Sequence, residues 1–396
     1  MQFYAQYDRV LTAEERSLVD KARHFCAGAF SSEAHDAYMR GEPFPSDWYR
    51  RWAQEGMLGL QARREDGGHA ASFLCKIRVA QEMARHSFAA AFCMNHHQGS
   101  LTRLSQTGSA RQKEELLPGM LSGDILATIA MTEPGGGSDV AALTTTATPV
   151  EGGWRLNGTK AWLTNGLMVN ALIVLARVEG ADRGDNMASF LVRLDGAASV
   201  TRREIMVPGA RSFRFAEISF EDHFVPAWAL FVPPGEAFKT AMGGINAARV
   251  HVAAMCVATL EAALAEAVAY CDRRHAFGKP LLAHQGLRWE LAEVATRLEA
   301  TNALVFRAAE CVERGEPIVT LAAQCKTFAV DTALWGVDQC IRAMGAIGTS
   351  GAHRLSMLQA EVRMAAYGDG TNQMLLDRIG RGLAKDYPVA SGFDHQ

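Results

Sequence analysis

The apolar pattern of this chain changes period twice, and this constrains the fold more than any other feature. Up to about residue 124 apolar side chains recur at helical spacing. From Ile125 to about Pro233 they alternate, and beyond Pro233-Pro234-Gly235 helical spacing returns. Period 3.6 puts apolar residues on one stripe of a helix, and period 2 puts them on one face of a strand, so neither pattern serves the other element. The chain is therefore expected to be α+β. It divides into an N-terminal α-helical domain over 1–124, a middle β-barrel or sheet domain over 125–233, and a C-terminal four-helix bundle over 234–396.

Local signals fill in these segments. Thr12 and Glu15 form a capping box, with Leu11 as the staple residue before it. The helix they open carries Val19, Ala22 and Phe25 and yields near Gly28. Pro45-Ser46-Asp47 opens a second helix with Trp48, Trp52 and Met57. Residues 63–70 read as a loop, helical patterns resume from Phe73 to about Thr107, and a further helix and turn run from Arg111 to Gly123. Strands are expected at 125–131, 143–149, 153–164, 171–178, 188–193, 198–207 and 214–221. Turn signals at Gly152-Gly153, Asn157-Gly158, Gly180, Gly184 and Pro208-Gly209 separate them. Long helices are expected at 237–272, 284–314, 317–345 and 371–385.

A net charge of −3 gives no bias toward nucleic acid or an anionic membrane. No apolar run approaches the ~20 residues of a membrane span. The eight cysteines show no C-x-x-C spacing, and no signal-peptide pattern precedes them. They read as reduced thiols of a cytoplasmic protein.

Ala130-Met-Thr-Glu-Pro-Gly-Gly-Gly-Ser-Asp-Val-Ala-Ala142 follows the apolar run Ile125–Ile129, which reads as a buried strand. Pro134 and three glycines stop that strand, and glycines let successive backbone N–H groups turn toward one anionic group or a flat ring. This segment resembles, at every constrained position, the first sequence signature of the acyl-CoA dehydrogenase family of flavoproteins. The α–β–α order extends the resemblance over nearly the whole chain. It implies FAD as cofactor, with Met131, Thr132, Gly137 and Ser138 toward the flavin and Ser138 also toward the substrate.

Lys160-Ala-Trp-Leu-Thr-Asn-Gly166, read alone, is a hairpin strand with a core tryptophan. The resemblance implies that Trp162 lies beside the isoalloxazine and that the Thr164 hydroxyl lies near its N5. Gly209-Ala-Arg-Ser212, Phe220-Glu-Asp222 and Val225-Pro226 match closing strands of the family and read as structural.

Arg274-His-Ala-Phe-Gly278, followed by Gln285, reads alone as a helix C-terminus with its cations at the negative end of the dipole. The resemblance implies instead that Arg274, Phe277 and Gln285 hold the adenosine-diphosphate half of FAD bound in a neighbouring subunit. It thus implies a homo-oligomer, a tetramer built as a dimer of dimers. Arg342 to Gly348 stands where relatives show Gln-x-x-Gly-Gly-x-Gly, with Arg342 for Gln and Ala346 for Gly. Arg342 and Gly345 are assigned to FAD on that basis.

Gly368-Asp-Gly-Thr-Asn-Gln373 reads alone as helix capping by Asp369 and Thr371. In many relatives the matching position is a glutamate in Glu-Gly-Thr that abstracts the α-proton of a thioester. Here it is Asp369, one methylene shorter. Other relatives place the base just before the arginine that matches Arg249, and here that residue is Ala248. Asp369 is therefore the candidate base, with Arg249 as a nearby cation favouring its ionised form. Gly368, Asp369, Gly370 and Arg249 are assigned to the substrate, and Thr371 and Gln373 to the cofactor. Gly368 lacks the bulky side chain many relatives carry, so room is expected near the reacting carbons. His96 and His97 point ~100° apart on a helix and are not read as a metal pair, and His251 is read as packing.

The implied reaction is FAD-dependent conversion of an acyl thioester, on coenzyme A or an acyl-carrier protein, to the 2-enoyl thioester. An electron-transfer flavoprotein is the implied acceptor. The shortened carboxylate keeps same-fold alternatives open, a desulfinase or a flavin monooxygenase. From Pro233 onward 16 Lys+Arg face 17 Asp+Glu, so no basic bundle supports a DNA-binding relative of this fold.

Overall fold

A computed structural model describes residues 3–180, 186–194 and 196–388. The turn expected at Gly184 lies outside the described residues. The N-terminal domain comprises α1 (Ala5–Val10), α2 (Ala13–Phe25), α3 (Ser31–Met39), α4 (Trp48–Gln54), α5 (Phe73–Ala84), α6 (Phe88–Thr107) and α7 (Ala110–Ser122). The Thr12–Glu15 capping box opens α2 as expected. At Gly28, whose ψ of −142° is not helical, the chain kinks through a π-turn and continues as α3, which the sequence pattern does not separate. The helical patterns expected from Phe73 to Thr107 are two helices, α5 and α6. Ser87 takes extended backbone and its hydroxyl accepts from the Ala90 N–H, so a new N-terminus starts there.

The middle domain is one mixed sheet built from β1 (Ala127–Ala130), β2 (Thr146–Val150), β3 (Gly153–Leu163), β4 (Ala171–Val178), β5 (Met187–Arg193), β6 (Val200–Glu204), β7 (Ala216–Pro226) and β8 (Leu230–Val232). Strand order is β6-β7-β3-β2-β4-β5-β8, with β1 added in parallel to β4. The edge strands β6 and β8 do not pair with each other, so the sheet is open rather than a closed barrel. Strand β8 is too short for an alternation signal.

The C-terminal domain begins with α8 (Ala237–Arg273), followed by a small hairpin, β9 (His275–Ala276) and β10 (Lys279–Pro280). Then come α9 (Gln285–Glu313), α10 (Val319–Met344), α11 (Leu355–Val362) and α12 (Asn372–Asp386). Helix α8 is the axis of the molecule: it packs against α9 and α10 on one side and α5 and α6 on the other. An 18-residue window of α8 has a mean hydropathy of 1.7, enough by length and composition for a membrane span, contrary to the sequence expectation. That window is 67% buried, so its apolarity serves packing on several sides. The carboxyl of Glu361 on α11 accepts from Ser87 Oγ (2.9 Å) and the Ala89 N–H (3.0 Å), fastening α11 to the start of α6.

Strands β2 and β3 approach closely because residue 158 is glycine. Its φ is +137°, and a Cβ there would lie 2.7 Å from the Cα of Thr145. Gly158→Ala is expected to combine overpacking with backbone strain and destabilise the fold by about 2 kcal/mol or more, read as a lower midpoint of thermal unfolding.

Candidate active site

Strand β1 ends at Ala130, and the glycine-rich loop folds back so that Glu133 bridges to Gly136. One buried carboxylate fixes this loop. Glu133 accepts from the N–H and Oγ1 of Thr144 (2.6 and 2.7 Å), from the N–H and Oγ1 of Thr145 (2.9 and 2.5 Å) and from Lys160 Nζ (2.8 Å). Lys160 is fully buried and also donates to the carbonyl of Met131. Burial would raise the Glu133 pKa, but the Lys160 ammonium and the threonine donors outweigh it and hold it down to about 2. The Ala161 N–H donates to the carbonyl of Thr132, tying loop to strand. Met131 and Thr132 thus stand at the base of the loop, and Gly137 and Ser138 on its exposed crest.

Strand β3 breaks register between Lys160 and Leu163, where Trp162 adopts φ +58°. The kink turns the indole outward. Trp162 is 50% exposed and touches Phe215 edge-on, whereas Thr164 is buried beside it in sequence. Asn165, also at positive φ, accepts from the Tyr49 hydroxyl (3.0 Å) and donates to the Cys93 carbonyl (3.1 Å), which fixes this corner to the N-terminal domain. Among the described residues, the N–H groups of Gly135, Gly137 and Ser138 have no protein acceptor. An outward-facing indole beside a crest of free amides fits a flat ring system with a polar edge, as an isoalloxazine is.

The second half of the site is the loop between α11 and α12. Asp369 holds φ +55°, a region β-substituted residues seldom occupy, and Gly370 follows at +95°. Two cations clamp this backbone. Arg249 on α8 donates from Nε to the Asp369 carbonyl (3.0 Å) and from Nη1 to Asn246 (2.9 Å). Lys326 on α10, fully buried, donates to the carbonyl of Gly370 (2.8 Å) and to Asn372 Oδ1 (3.0 Å), and more weakly to the Ala366 carbonyl (3.4 Å). The N–H of Asp369 donates to no described residue. Burial raises the Asp369 pKa, and the opposing pull of Lys326 and Arg249 is smaller. Arg249 acts in the expected direction, favouring the ionised form, although its hydrogen bond goes to the backbone and desolvation is the larger effect. Thr371 caps α12, accepting from the Met374 N–H (3.3 Å), while Asp369 caps nothing, and Gln373 is exposed.

Gly368 does not open room, as the sequence reading expected. A Cβ there would lie 2.9 Å from Phe92 Cζ, so the ring of Phe92 on α6 already fills that space. Phe92 also meets Phe213, which stacks on Phe215, which meets Trp162. This aromatic chain joins the Asp369 loop to the β3 corner. The start of α8 also reaches the glycine-rich loop: Ala237 and Ala241 cluster with Leu143, and Met131 and Met242 pack against that cluster.

The remaining assigned residues lie elsewhere. Arg274 ends α8, Phe277 stands 95% exposed at φ +51°, and Gln285 opens α9. The Cys271 thiol meets the Ala343 carbonyl (3.5 Å), which brings Arg342 and Gly345 to the same end of the bundle. Arg342 pairs with Asp338 (2.7 Å) on the surface. From Arg249 to Arg274 α8 runs 25 residues, about 37 Å at 1.5 Å per residue, so this group does not meet Asp369 in one chain.

Sequence reading missed Glu133, Lys160, Lys326 and Phe92. The only available signal for the lysines is a charge inside an apolar run, as in Ala322-Ala-Gln-Cys-Lys-Thr-Phe328. Glu133→Gln breaks a buried pair and is expected to cost about 3–5 kcal/mol at neutral pH, read by denaturant unfolding. The Glu133 pKa is depressed in the fold, so its contribution is complete above the unfolded carboxyl value of about 4.3 and is lost as pH falls toward 2. Wild type and variant are expected to converge in stability over that acidic window.

Three family descriptions match consecutive parts of the chain: acyl-CoA dehydrogenase N-terminal domain over residues 12–124, middle domain over 128–223 and C-terminal domain over 235–384. A benzylmalonyl-CoA dehydrogenase of Aromatoleum aromaticum is 31% identical over 368 residues, 92% of this chain and 96% of that protein. Among solved structures, butyryl-CoA dehydrogenase from Megasphaera elsdenii superposes with a TM-score of 0.88 at 26% identity, covering 94% and 98% of the two chains. A chain in a structure described as an electron transferring flavoprotein of Acidaminococcus fermentans superposes equally well, also at 26% identity, over 95% and 99%. With that coverage and the geometry above, the chain belongs to the acyl-CoA dehydrogenase family, as an FAD-dependent oxidoreductase acting on CH–CH bonds.

Proposed function

We propose that this protein converts an acyl thioester to its 2-enoyl thioester, with Asp369 removing the α-proton. The observation that carries the reading is the Asp369 loop. The left-handed backbone that carries its carboxyl is clamped at the main-chain carbonyls by Arg249 and Lys326, and the loop is linked through Phe92, Phe213 and Phe215 to the outward-turned Trp162. A base whose pKa is raised by burial is better matched to neutral pH than an ordinary aspartate. The glycine-hinged, left-handed backbone at Asp369 and Gly370 supports a carboxyl displaced to offset the missing methylene. The free N–H of Asp369 can donate to the thioester carbonyl as charge develops there.

Met131, Thr132, Gly137, Ser138, Trp162 and Thr164 would hold FAD at its ring, and FAD would supply the acceptor for the β-hydride. Arg274, Phe277, Gln285, Arg342 and Gly345 lie too far along the bundle to hold the same cofactor. A homotetramer, in which they hold the other half of a neighbour's FAD, accounts for that separation and for the exposed, strained Phe277. An electron-transfer flavoprotein is the proposed acceptor, in keeping with the similarity to the Acidaminococcus fermentans chain. Eight buried free thiols are in keeping with a cytoplasmic setting.

The purified protein is expected to be yellow, and anaerobic addition of its acyl thioester to bleach the flavin band. Colour unchanged across a broad acyl panel would defeat the reading. Asp369→Asn is expected to keep FAD and lower kcat about 10²–10⁴-fold, whereas a monooxygenase or desulfinase would keep most turnover. In wild type the acidic limb of kcat/KM is expected above the usual aspartate value, because activity falls as Asp369 gains its proton. Lys326→Met frees the loop carbonyls without touching the flavin lip, and a kcat loss of about 10–100-fold with normal FAD content is expected.

A further inference from the structure

The residue before the candidate base is a glycine that its own backbone does not demand. Asp369 and Gly370 lie at positive φ, but Gly368 does not, so an alanine is locally allowed there. What excludes a side chain is tertiary. A Cβ at Gly368 would lie 2.9 Å from Cζ and 3.3 Å from Cε2 of Phe92, whereas the next atom it would meet, the Met364 carbonyl oxygen, is 4.0 Å away. One ring on α6 therefore occupies the place of a side chain at 368.

That ring has little freedom to step aside. Phe92 is 4% exposed, and three other rings enclose it: Phe88 stacked at 5.9 Å between centroids, Phe213 edge-on at 5.5 Å and His96 at 4.8 Å. Phe88 and Phe213 are themselves fully buried. Helix α6 is also tied to the segment that carries the loop. Glu361 on α11 accepts from Ser87 Oγ and the Ala89 N–H, and about one turn further along α6 Phe92 meets Gly368. The stretch from α11 to the loop is thus attached to α6 at both of its ends. Tyr367, just before the contact, is largely exposed and adds no anchor of that kind.

We infer that Phe92 is a positioning residue for Asp369: its ring, seated where a side chain at 368 would lie, fixes the base loop against the N-terminal domain. The inference rests on the reading of Asp369 as the base and adds what sets its place. Arg249 and Lys326 hold the loop carbonyls from the C-terminal domain, but both are long side chains that can follow a displaced backbone. An enclosed ring cannot follow. Its loss lets the loop relax toward α6, and a displacement of about 1 Å in a reacting group can cost ~10²-fold in rate.

The test uses the FAD-loaded protein, Phe92→Leu, Gly368→Ala and the double variant. Leu101→Ala is the control, since Leu101 is fully buried on the same helix about 14 Å further along. Phe92→Leu is expected to lower kcat for anaerobic flavin bleaching about 10–100-fold, with KM and FAD content little changed. Gly368→Ala is expected to do the same by clashing with the ring. The double variant is expected to recover most of what Gly368→Ala loses, because the shorter leucine leaves room for the new methyl. Leu101→Ala is expected to lower the midpoint of thermal unfolding without that loss of kcat. A second measurement needs no substrate. Hydrogen exchange of the Tyr367 and Gly368 amides, which both donate to the Met364 carbonyl (3.2 and 3.3 Å), is expected to quicken in Phe92→Leu and not in Leu101→Ala. Losses that simply add in the double variant, a kcat in Phe92→Leu no lower than in Leu101→Ala, or unchanged exchange each overturn the inference, while bleaching keeps the thioester reading. Quickened exchange with no bleaching by any thioester, wild type included, would sustain the hold of Phe92 on the loop and remove the dehydrogenation reading. If Phe92→Leu does not fold, Gly368→Ala decides alone, and an undiminished kcat there overturns the inference.

Discussion

The structure depends on two buried cations that hold the backbone of one short loop. Arg249 and Lys326 come from α8 and α10, the most extensively packed helix pair in the molecule, and both spend donors on carbonyls of the Asp369–Gly370 turn. That turn sits in left-handed backbone, which for an aspartate costs of order 1–3 kcal/mol unless its surroundings enforce it. The enforcement is the helix packing itself. The candidate base is thus positioned by hydrogen bonds to its own main chain, which leaves the carboxyl free for chemistry.

A parallel arrangement holds the opposite lip. Glu133 and Lys160 are buried at the foot of the glycine-rich loop, and the threonines at 144 and 145 complete the carboxylate. Their satisfied network lets residues 134–139 remain exposed with unused amides while the base of the loop is rigid. Both lips therefore follow one design: an internal ion or hydrogen-bond network fixes the backbone, and the groups that face the ligand take no part in it.

The residue most instructive about reading sequence is Gly368. From the sequence its missing side chain suggested free space, yet a ring more than 270 residues earlier in the chain occupies it. The capping reading of Gly368–Gln373 was half right for a similar reason. Thr371 caps α12, but Asp369 is turned away from the helix by a positive φ that no local pattern encodes. Lys160 and Lys326 carry no local mark of their burial, which comes from partners distant in sequence, Glu133 for the one and the Gly370–Asn372 turn for the other. Helix α3 and strand β8 escaped because a π-turn and a three-residue strand leave too short a period to detect.

By itself the sequence determined the succession of helical, sheet and helical domains, the capping box at Thr12, and the glycine-rich and Gly368–Gln373 motifs of the candidate site. These are local or periodic properties, set by backbone geometry within a few residues. Tertiary structure alone decided that α6 reaches the base loop, that Arg274 and its neighbours stand a helix length away from Asp369, and which charged side chains lose their water. Those outcomes depend on which surfaces meet, and a linear pattern carries no distance between residues far apart in the chain.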